Sequence, residues 1–256
     1  MGILNTTPDS FSDGGRYANL DDAIRRAEVM ILDGADIIDI GGESTRPFAL
    51  PVSLDEELDR TIPLVEKLQG YGVALSVDTS KPDVMKAALA AGADMINDIW
   101  AFRQPGALDA VRASDCALCV MHMHRDPSSM QDAPFVDNAI EAVIDFLSRH
   151  VDVLLEAGIQ RERICVDPGF GFGKSVDQNY ALLKHLKKLA LGYPLLAGLS
   201  RKSMLRDKTG RSALDSLSSS VAAAVLAVDR GASIVRVHDV AETRDALTIW
   251  EALMAA

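Results

Sequence analysis

The side chains best suited to chemistry in this chain form a small set: Asp78, Asn97, Asp167, Lys202, Arg236 and His238. Each stands at or just past the downstream end of a short run rich in Val, Ile and Leu. Arg236 and His238 are two residues apart, so on an extended backbone they share a face. Ile234, Val235 and Val237 mark a core strand around them, where stray charge is costly, and the pair therefore reads as an anion site. Asp167 heads a glycine-rich segment, Gly169-Phe170-Gly171-Phe172-Gly173-Lys174-Ser175 after Pro168. It imitates a nucleotide-binding loop, but Pro168 occupies the place of a required glycine. A plain turn needs fewer glycines, so the segment is expected to form a shaped ligand wall with Asp167 pointing inward.

Two further patterns carry less. His122 and His124 form an H-x-H, but a barrel metal site would need inward histidines on other strands, and only His238 is placed to help. Cys116 and Cys119 match C-x-x-C within a predicted strand, where residues three apart face opposite sides. They are read as packing cysteines, and three cysteines in all give no disulfide framework.

These residues need elements to hold them, and the apolar runs supply eight predicted strands. They are Gly2-Ile3-Leu4, Asp36 to Ile40, Val73 to Val77, Met95-Ile96, Ala117 to Val120, Ile164 to Val166, Leu195 to Gly198, and Ile234-Val235. Segments with helical spacing separate most of them. Ser53 with Glu56 predicts a capping box, followed by a stripe of Leu54, Leu58, Ile62, Val65 and Leu68 that ends at Gly70. Pro82 suits a helix first turn, and the longest helix is predicted over about Val136 to Ala157, stopped by Gly158. The Ala- and Ser-rich stretch from Ser218 to Val228 suits close packing, either on the barrel or against a second copy.

Eight strand–helix units predict an α/β fold, a closed (β/α)8 TIM barrel, whose chemistry gathers at the C-terminal ends of the strands. An open doubly wound sheet would carry G-x-G-x-x-G after its first strand, whereas Asn5-Thr6-Thr7-Pro8-Asp9-Ser10 stands there. Such barrels occupy about 250 residues, so residues 1–256 are read as one domain. The 26 basic and 37 acidic side chains give a formal net charge of −11, which argues against nucleic-acid or anionic-membrane partners. No signal peptide is visible, and no apolar run approaches the roughly 20 residues of a membrane span. Met1-Gly2 with Thr6 formally fits an N-myristoylation pattern, but burying Ile3 and Leu4 in a first strand uses those residues better. A cytoplasmic location is expected.

The segments together resemble the dihydropteroate synthase branch of the pterin-binding family. The resemblance is carried by residues 1–15, Gly41 to Pro47, Ser76 to Thr79, Ile96-Asn97-Asp98, Met121-His122-Met123, the Asp167 loop, Ser200 to Ser203 and Arg236 to Asp239. It spans nearly the whole chain in order. It implies that 4-aminobenzoate displaces diphosphate from (7,8-dihydropterin-6-yl)methyl diphosphate, giving 7,8-dihydropteroate, with Mg2+ as cofactor and a homodimer as the assembly. It implies pterin binding by Asp78, Asn97, Met121, Asp167 and Lys202, and diphosphate binding by Asn5, Thr45, Arg236 and His238, with Asn5 also on the metal. It implies a 4-aminobenzoate pocket of Thr45, Pro47, Phe172, Lys202 and Ser203, with catalytic roles for Asp9, Lys202 and Arg236. A Schiff-base aldolase using Lys202 and a non-catalytic pterin-binding protein are the competing readings. Two departures stand out. Family members usually carry a segment before the first strand, which bears on stability. Phe48 stands where a small residue is expected, which bears on the aminobenzoate mouth and on sulfonamide access.

Overall fold

The computed structural model describes residues 1–6, 16–43, 51–124 and 138–256. Eight strands alternate with helices along the chain: β1 (Gly2–Asn5), α1 (Arg16–Leu32), β2 (Ile37–Gly41), α2 (Leu54–Leu68), β3 (Ala74–Asp78), α3 (Pro82–Ala90), β4 (Met95–Asp98) and α4 (Ala107–Arg112). They continue with β5 (Ala117–Met121), α5 (Ala139–Glu156), β6 (Ile164–Asp167), α6 (Val176–Lys184), α7 (Leu186–Leu189), β7 (Leu196–Ala197), α8 (Ser203–Thr209), α9 (Leu217–Asp229), β8 (Ile234–Val235) and α10 (Val240–Ala255). Strands β1 to β6 pair in sequence order, all parallel, and β7 pairs with β8. Two bridges join these sheets into a ring. Val166 pairs with Leu195, and the Val166 amide donates to Pro194 O at 2.9 Å. Gly2 pairs with Val237, with Ile3 N donating to Val237 O at 3.0 Å and Val237 N to Met1 O at 2.9 Å. The predicted barrel is closed.

Strand alternation sorts every run into two faces. Leu4, Ile38, Ile40, Leu75, Val77, Ile96, Leu118, Val120, Ile164, Val166 and Leu195 face the helices and form the main core with them. The opposite parity looks into the ring. Met1, Met95, Cys119, Cys165 and Leu196 fill its lower interior. Cys119 and Cys165 are register partners there, whereas Cys116 packs in the outer core, as the reading of two packing cysteines requires. Further along the same inward parity come Asp39, Asp78, Asn97, Met121, Asp167 and Arg236. The register therefore delivers the chemistry-bearing residues to one end of one hollow.

Several local expectations are refined. Ser53 caps α2 and its Oγ accepts Glu56 N at 3.2 Å, but the Glu56 carboxylate turns to Arg60 instead of closing the box. A complete reciprocal box forms at Ser175 and Gln178, at the start of α6. The buried face of α2 is Glu57, Thr61, Leu64, Val65 and Leu68, with Leu54, Leu58 and Ile62 only at its margin. The helix is turned so that buried Glu57 meets Thr79 Oγ1 at 2.5 Å and pairs with Lys81, an ionic tie that apolar spacing does not reveal. Helix α5 begins at Ala139 behind the Asn138 cap, and residues 136 and 137 lie outside the described set. Helix α9 buries Ser220, Ala223, Ala224 and Ala227. Among the described residues no helix is long and apolar enough to cross a membrane.

Leu118 is fully buried on the helix-facing side of β5. Leu118→Ala should lower the unfolding free energy by about 2–5 kcal/mol, because a cavity remains where the side chain was. Urea denaturation with an unchanged slope measures this, and a midpoint equal to that of the parent would place Leu118 outside the core.

Candidate active site

Arg236, following β8, extends across the mouth of the barrel. Its Nε donates to Asp39 Oδ2 on β2, and its Nη2 donates to Asp78 Oδ2 on β3 at 2.8 Å. Asp39 has no solvent exposure and accepts two more hydrogen bonds, from Ser76 Oγ at 2.6 Å and from Asn97 Nδ2 at 3.3 Å. Four strands are thus cross-linked through one carboxylate. Burial works against the guanidinium's charge, but Asp39 and Asp78 outweigh it and hold Arg236 more firmly protonated. Asp78 is pushed up to about 7 by burial, against the pull of Arg236 and with the help of Asp39, Asp98 and Glu57.

The hollow above this contact is lined by Ile3, Asp78, Asn97, Ile99, Met121, Asp167, Phe172, Gly198, Ser200, Lys202, Arg236 and His238. Asp167 ends β6 and its Oδ1 accepts Gly169 N at 2.7 Å. Gly169 has φ +65°, and a Cβ there would lie 1.8 Å from His122 O, so only glycine allows the loop to press against the end of β5. Burial raises the Asp167 pKa, while Lys202, the Gly169 amide and Lys174 oppose the rise. Lys202 Nζ donates to Phe170 O and sits 4.7 Å from the centre of the Phe172 ring. Burial brings its pKa down to about 8, with Asp167 pulling the other way. His238 Nδ1 lies 3.0 Å from Ser200 Oγ, which fixes the imidazole beside Arg236.

The wall after β4 is set by Asp98, whose carboxylate accepts Trp100 N at 2.8 Å and Phe102 N at 2.7 Å. Ala101 and Phe102 there hold positive φ values of 54° and 58°. Ile99, Met121 and Phe172 make an apolar side to the hollow, packed with Met123 and Trp100. The lining brings acidic and basic groups together with apolar ones. A flat heterocycle with a polar edge and an anionic tail suits that combination.

Six of the residues singled out in the sequence, Asp78, Asn97, Asp167, Lys202, Arg236 and His238, meet in this hollow, together with Met121 and Phe172. Asn5 ends β1 on the same rim, its Oδ1 against Gly41, but outside the lining. Ser203 starts α8, exposed and also outside it. Asp9, Thr45, Pro47 and Phe48 lie outside the described residues. His122 points away from the hollow into an edge contact with Phe146 (ring centres 4.9 Å apart), and burial brings its pKa down to about 2. Among the described residues no group of three or more His, Cys, Asp or Glu could hold a metal. Asp39, Ser200 and Lys174 were not singled out in the sequence. Asp39 and Ser200 share the inward parity of their strands with Gly41 and Gly198, and that signal was available.

Fold and site define a (β/α)8-barrel enzyme that receives a polar-edged ring and an anion at one mouth. The family model described as pterin binding enzyme matches residues 1–238, and the chain belongs to that family. Its relatives include the dihydropteroate synthase of Escherichia coli strain K12, 47% identical over all of this chain and 92% of that protein. Among solved structures, the Burkholderia cenocepacia dihydropteroate synthase complexed with 7,8-dihydropteroate is 57% identical, with a TM-score of 0.92 over 100% of this chain and 91% of that one. The Xanthomonas albilineans dihydropteroate synthase with 4-aminobenzoic acid is 50% identical, with a TM-score of 0.94 over 100% and 93%.

Lys202 generates a pH prediction. Between about pH 8 and 10.5 the unfolded chain still holds a proton that folded Lys202 has released. Unfolding free energy gained from this residue therefore rises with pH across that window and is flat below it. The stability difference between the parent and Lys202→Met should shift in the parent's favour from pH 8 to 10.5 in urea titrations. A pH-independent difference would contradict the burial of the ammonium.

Proposed function

We propose that this chain catalyses the dihydropteroate synthase reaction: 4-aminobenzoate displaces diphosphate from (7,8-dihydropterin-6-yl)methyl diphosphate, giving 7,8-dihydropteroate. The observation that carries the reading is the convergence of Asn97, Asp167, Lys202 and Arg236 on one hollow, in a chain 47% identical to a curated dihydropteroate synthase over its whole length.

The pyrimidine edge of a pterin offers an amino group and a ring N–H side by side, and the Asp167 carboxylate accepts both. Asn97 supplies a complementary amide, Asp78 meets the ring further round, and Met121 packs on its face. Lys202 donates to ring acceptors while its stem borders Phe172. Arg236 spends two N–H groups on Asp39 and Asp78, and its remaining donors face the diphosphate with His238. These charges stabilise the leaving group, so diphosphate departs first and the electron-rich dihydropterin supports a methylene cation. The resemblance assigns Asp9 to that cation and Thr45, Pro47, Phe172, Lys202 and Ser203 to the attacking aromatic amine; of these, Phe172 and Lys202 line the hollow, and Asp9, Thr45 and Pro47 lie outside the described residues. No covalent enzyme intermediate forms, in contrast to a Schiff-base aldolase. Such a cation needs a site from which water is excluded, since water would hydrolyse it.

Magnesium fits one donor here. Asn5 Oδ1 is a hard oxygen on the anion side of the rim, and magnesium is commonly held by few protein oxygens plus substrate phosphates. When bound, it would neutralise diphosphate charge. The homodimer reading is supported by the exposed Leu226 on α9 and Ile249, Leu253 and Met254 on α10.

The test is diphosphate release from the pterin substrate with and without 4-aminobenzoate and magnesium. Release coupled to 7,8-dihydropteroate supports the reading, and tight pterin binding without product would leave a binding protein. Asp167→Asn should weaken pterin binding by roughly 10- to 100-fold, the worth of hydrogen bonds to a charged group, with an unchanged circular dichroism spectrum. Unchanged affinity would mean that another carboxylate holds the ring.

A further inference from the structure

Lys174 is buried and absent from the lining of the hollow, burial brings its pKa down to about 7, and the mechanism above does not use it. Its Nζ donates to Gly169 O at 2.7 Å, to Phe172 O at 3.2 Å and to His122 O at 3.5 Å. In its protonated form the amine has three N–H donors, one for each of these carbonyls. Two belong to the glycine-rich loop after β6 and the third to the exit of β5. From the other side Asn179 of α6 completes the clasp. Its Oδ1 accepts Gly171 N at 2.8 Å, and its Nδ2 donates to Lys174 O at 3.1 Å and Ser175 O at 2.8 Å.

Positive φ at Gly169, Gly171 and Gly173 opens unusually many alternative conformations to the loop, and the backbone bond within it from Phe172 N to Gly169 O at 3.2 Å fixes one turn of it. The loop nevertheless presents two features to the hollow with defined placement. One is Phe170 O, which receives Lys202 Nζ; the other is the Phe172 ring, which lies beside that same ammonium. Gly171 permits the approach, since a Cβ there would come within 3.2 Å of Lys202 Cδ. The pterin edge is held differently, by Asp167 and Asn97, whose backbones are fixed by strand pairing in β6 and β4, and the loop reaches this pair through Gly169 N on Asp167 Oδ1.

We propose that Lys174 is a positioning residue for the second substrate: by tying the loop after β6 to the end of β5, it sets Phe172 against Lys202 and so shapes the 4-aminobenzoate side of the hollow. The inference rests on the proposed synthase activity, and turnover by the parent enzyme tests that activity separately. Lys174 acts through Phe172 and does not touch substrate.

The experiment is steady-state kinetics of the full chain with Lys174→Met, beside pterin-substrate binding measured calorimetrically without 4-aminobenzoate. The KM for 4-aminobenzoate should rise about tenfold while the pterin dissociation constant stays within about twofold of the parent. Phe172→Leu should raise the same KM, and the double variant should be no worse than the worse single one, because both changes break one chain of contact. Lys174→Gln, which keeps two donors, should fall between parent and Lys174→Met. Equal weakening of both substrates would overturn the proposal, as would multiplicative effects in the double variant. Unfolding of both Lys174 variants would overturn it too, by assigning the residue to folding.

Discussion

Arg236 is brought to the barrel mouth by the last strand, and there it meets Asp39 from the second strand and Asp78 from the third. Asp39 in turn gathers Ser76 and Asn97. A charge placed this deep is costly unless it is paired and its lone pairs are satisfied. The cost here is offset by a nearly complete set of partners, and the result constrains geometry more than it adds stability. Once Arg236 is fixed, the direction of Asp78 and the amide of Asn97 follow, and both face the same hollow as Asp167 and Lys202.

The same contact explains how an acidic chain can receive an anionic substrate. The net charge of −11 belongs to the chain as a whole, while the mouth sets Asp39, Asp78 and Asp167 against Lys202 and Arg236, with Lys174 behind the loop. In a site of low polarity, local arrangement outweighs distant charge. The cations are also divided by task. Arg236 and His238 follow the eighth strand, Lys202 stands over the aromatic wall, and Lys174 works beneath the loop that carries that wall. Asp98 performs a related service after β4, where its carboxylate holds a backbone turn with two positive φ residues next to Ile99.

Much of this arrangement was legible because strand periodicity and barrel topology are coarse, redundant signals. Runs such as Val73 to Val77 ending in Asp78 declare both a strand and its functional end. Arg236 and His238 could be assigned to one face from spacing alone. Asp39 escaped notice because it lies inside its run and not at the end; Asp36, at the start of the run, pairs outward with Arg244. Glu57 was hidden for a similar reason: its ion pair turns α2 away from the face that Leu54, Leu58 and Ile62 predict. Lys174 could not be read at all, since its partners are backbone carbonyls and carry no side-chain signature. Polar contacts across long sequence separations are the part of a fold that hydrophobic patterning does not encode.

The central claim is that Asp39 and Arg236 act as one unit at the barrel mouth. A double-mutant cycle on urea stability, with Asp39→Ala, Arg236→Ala and the pair, measures that directly. The double variant should be more stable than the sum of the single losses by about 1–3 kcal/mol, because each single change strands a buried charge that the double change removes. Strict additivity of the two losses would contradict the account.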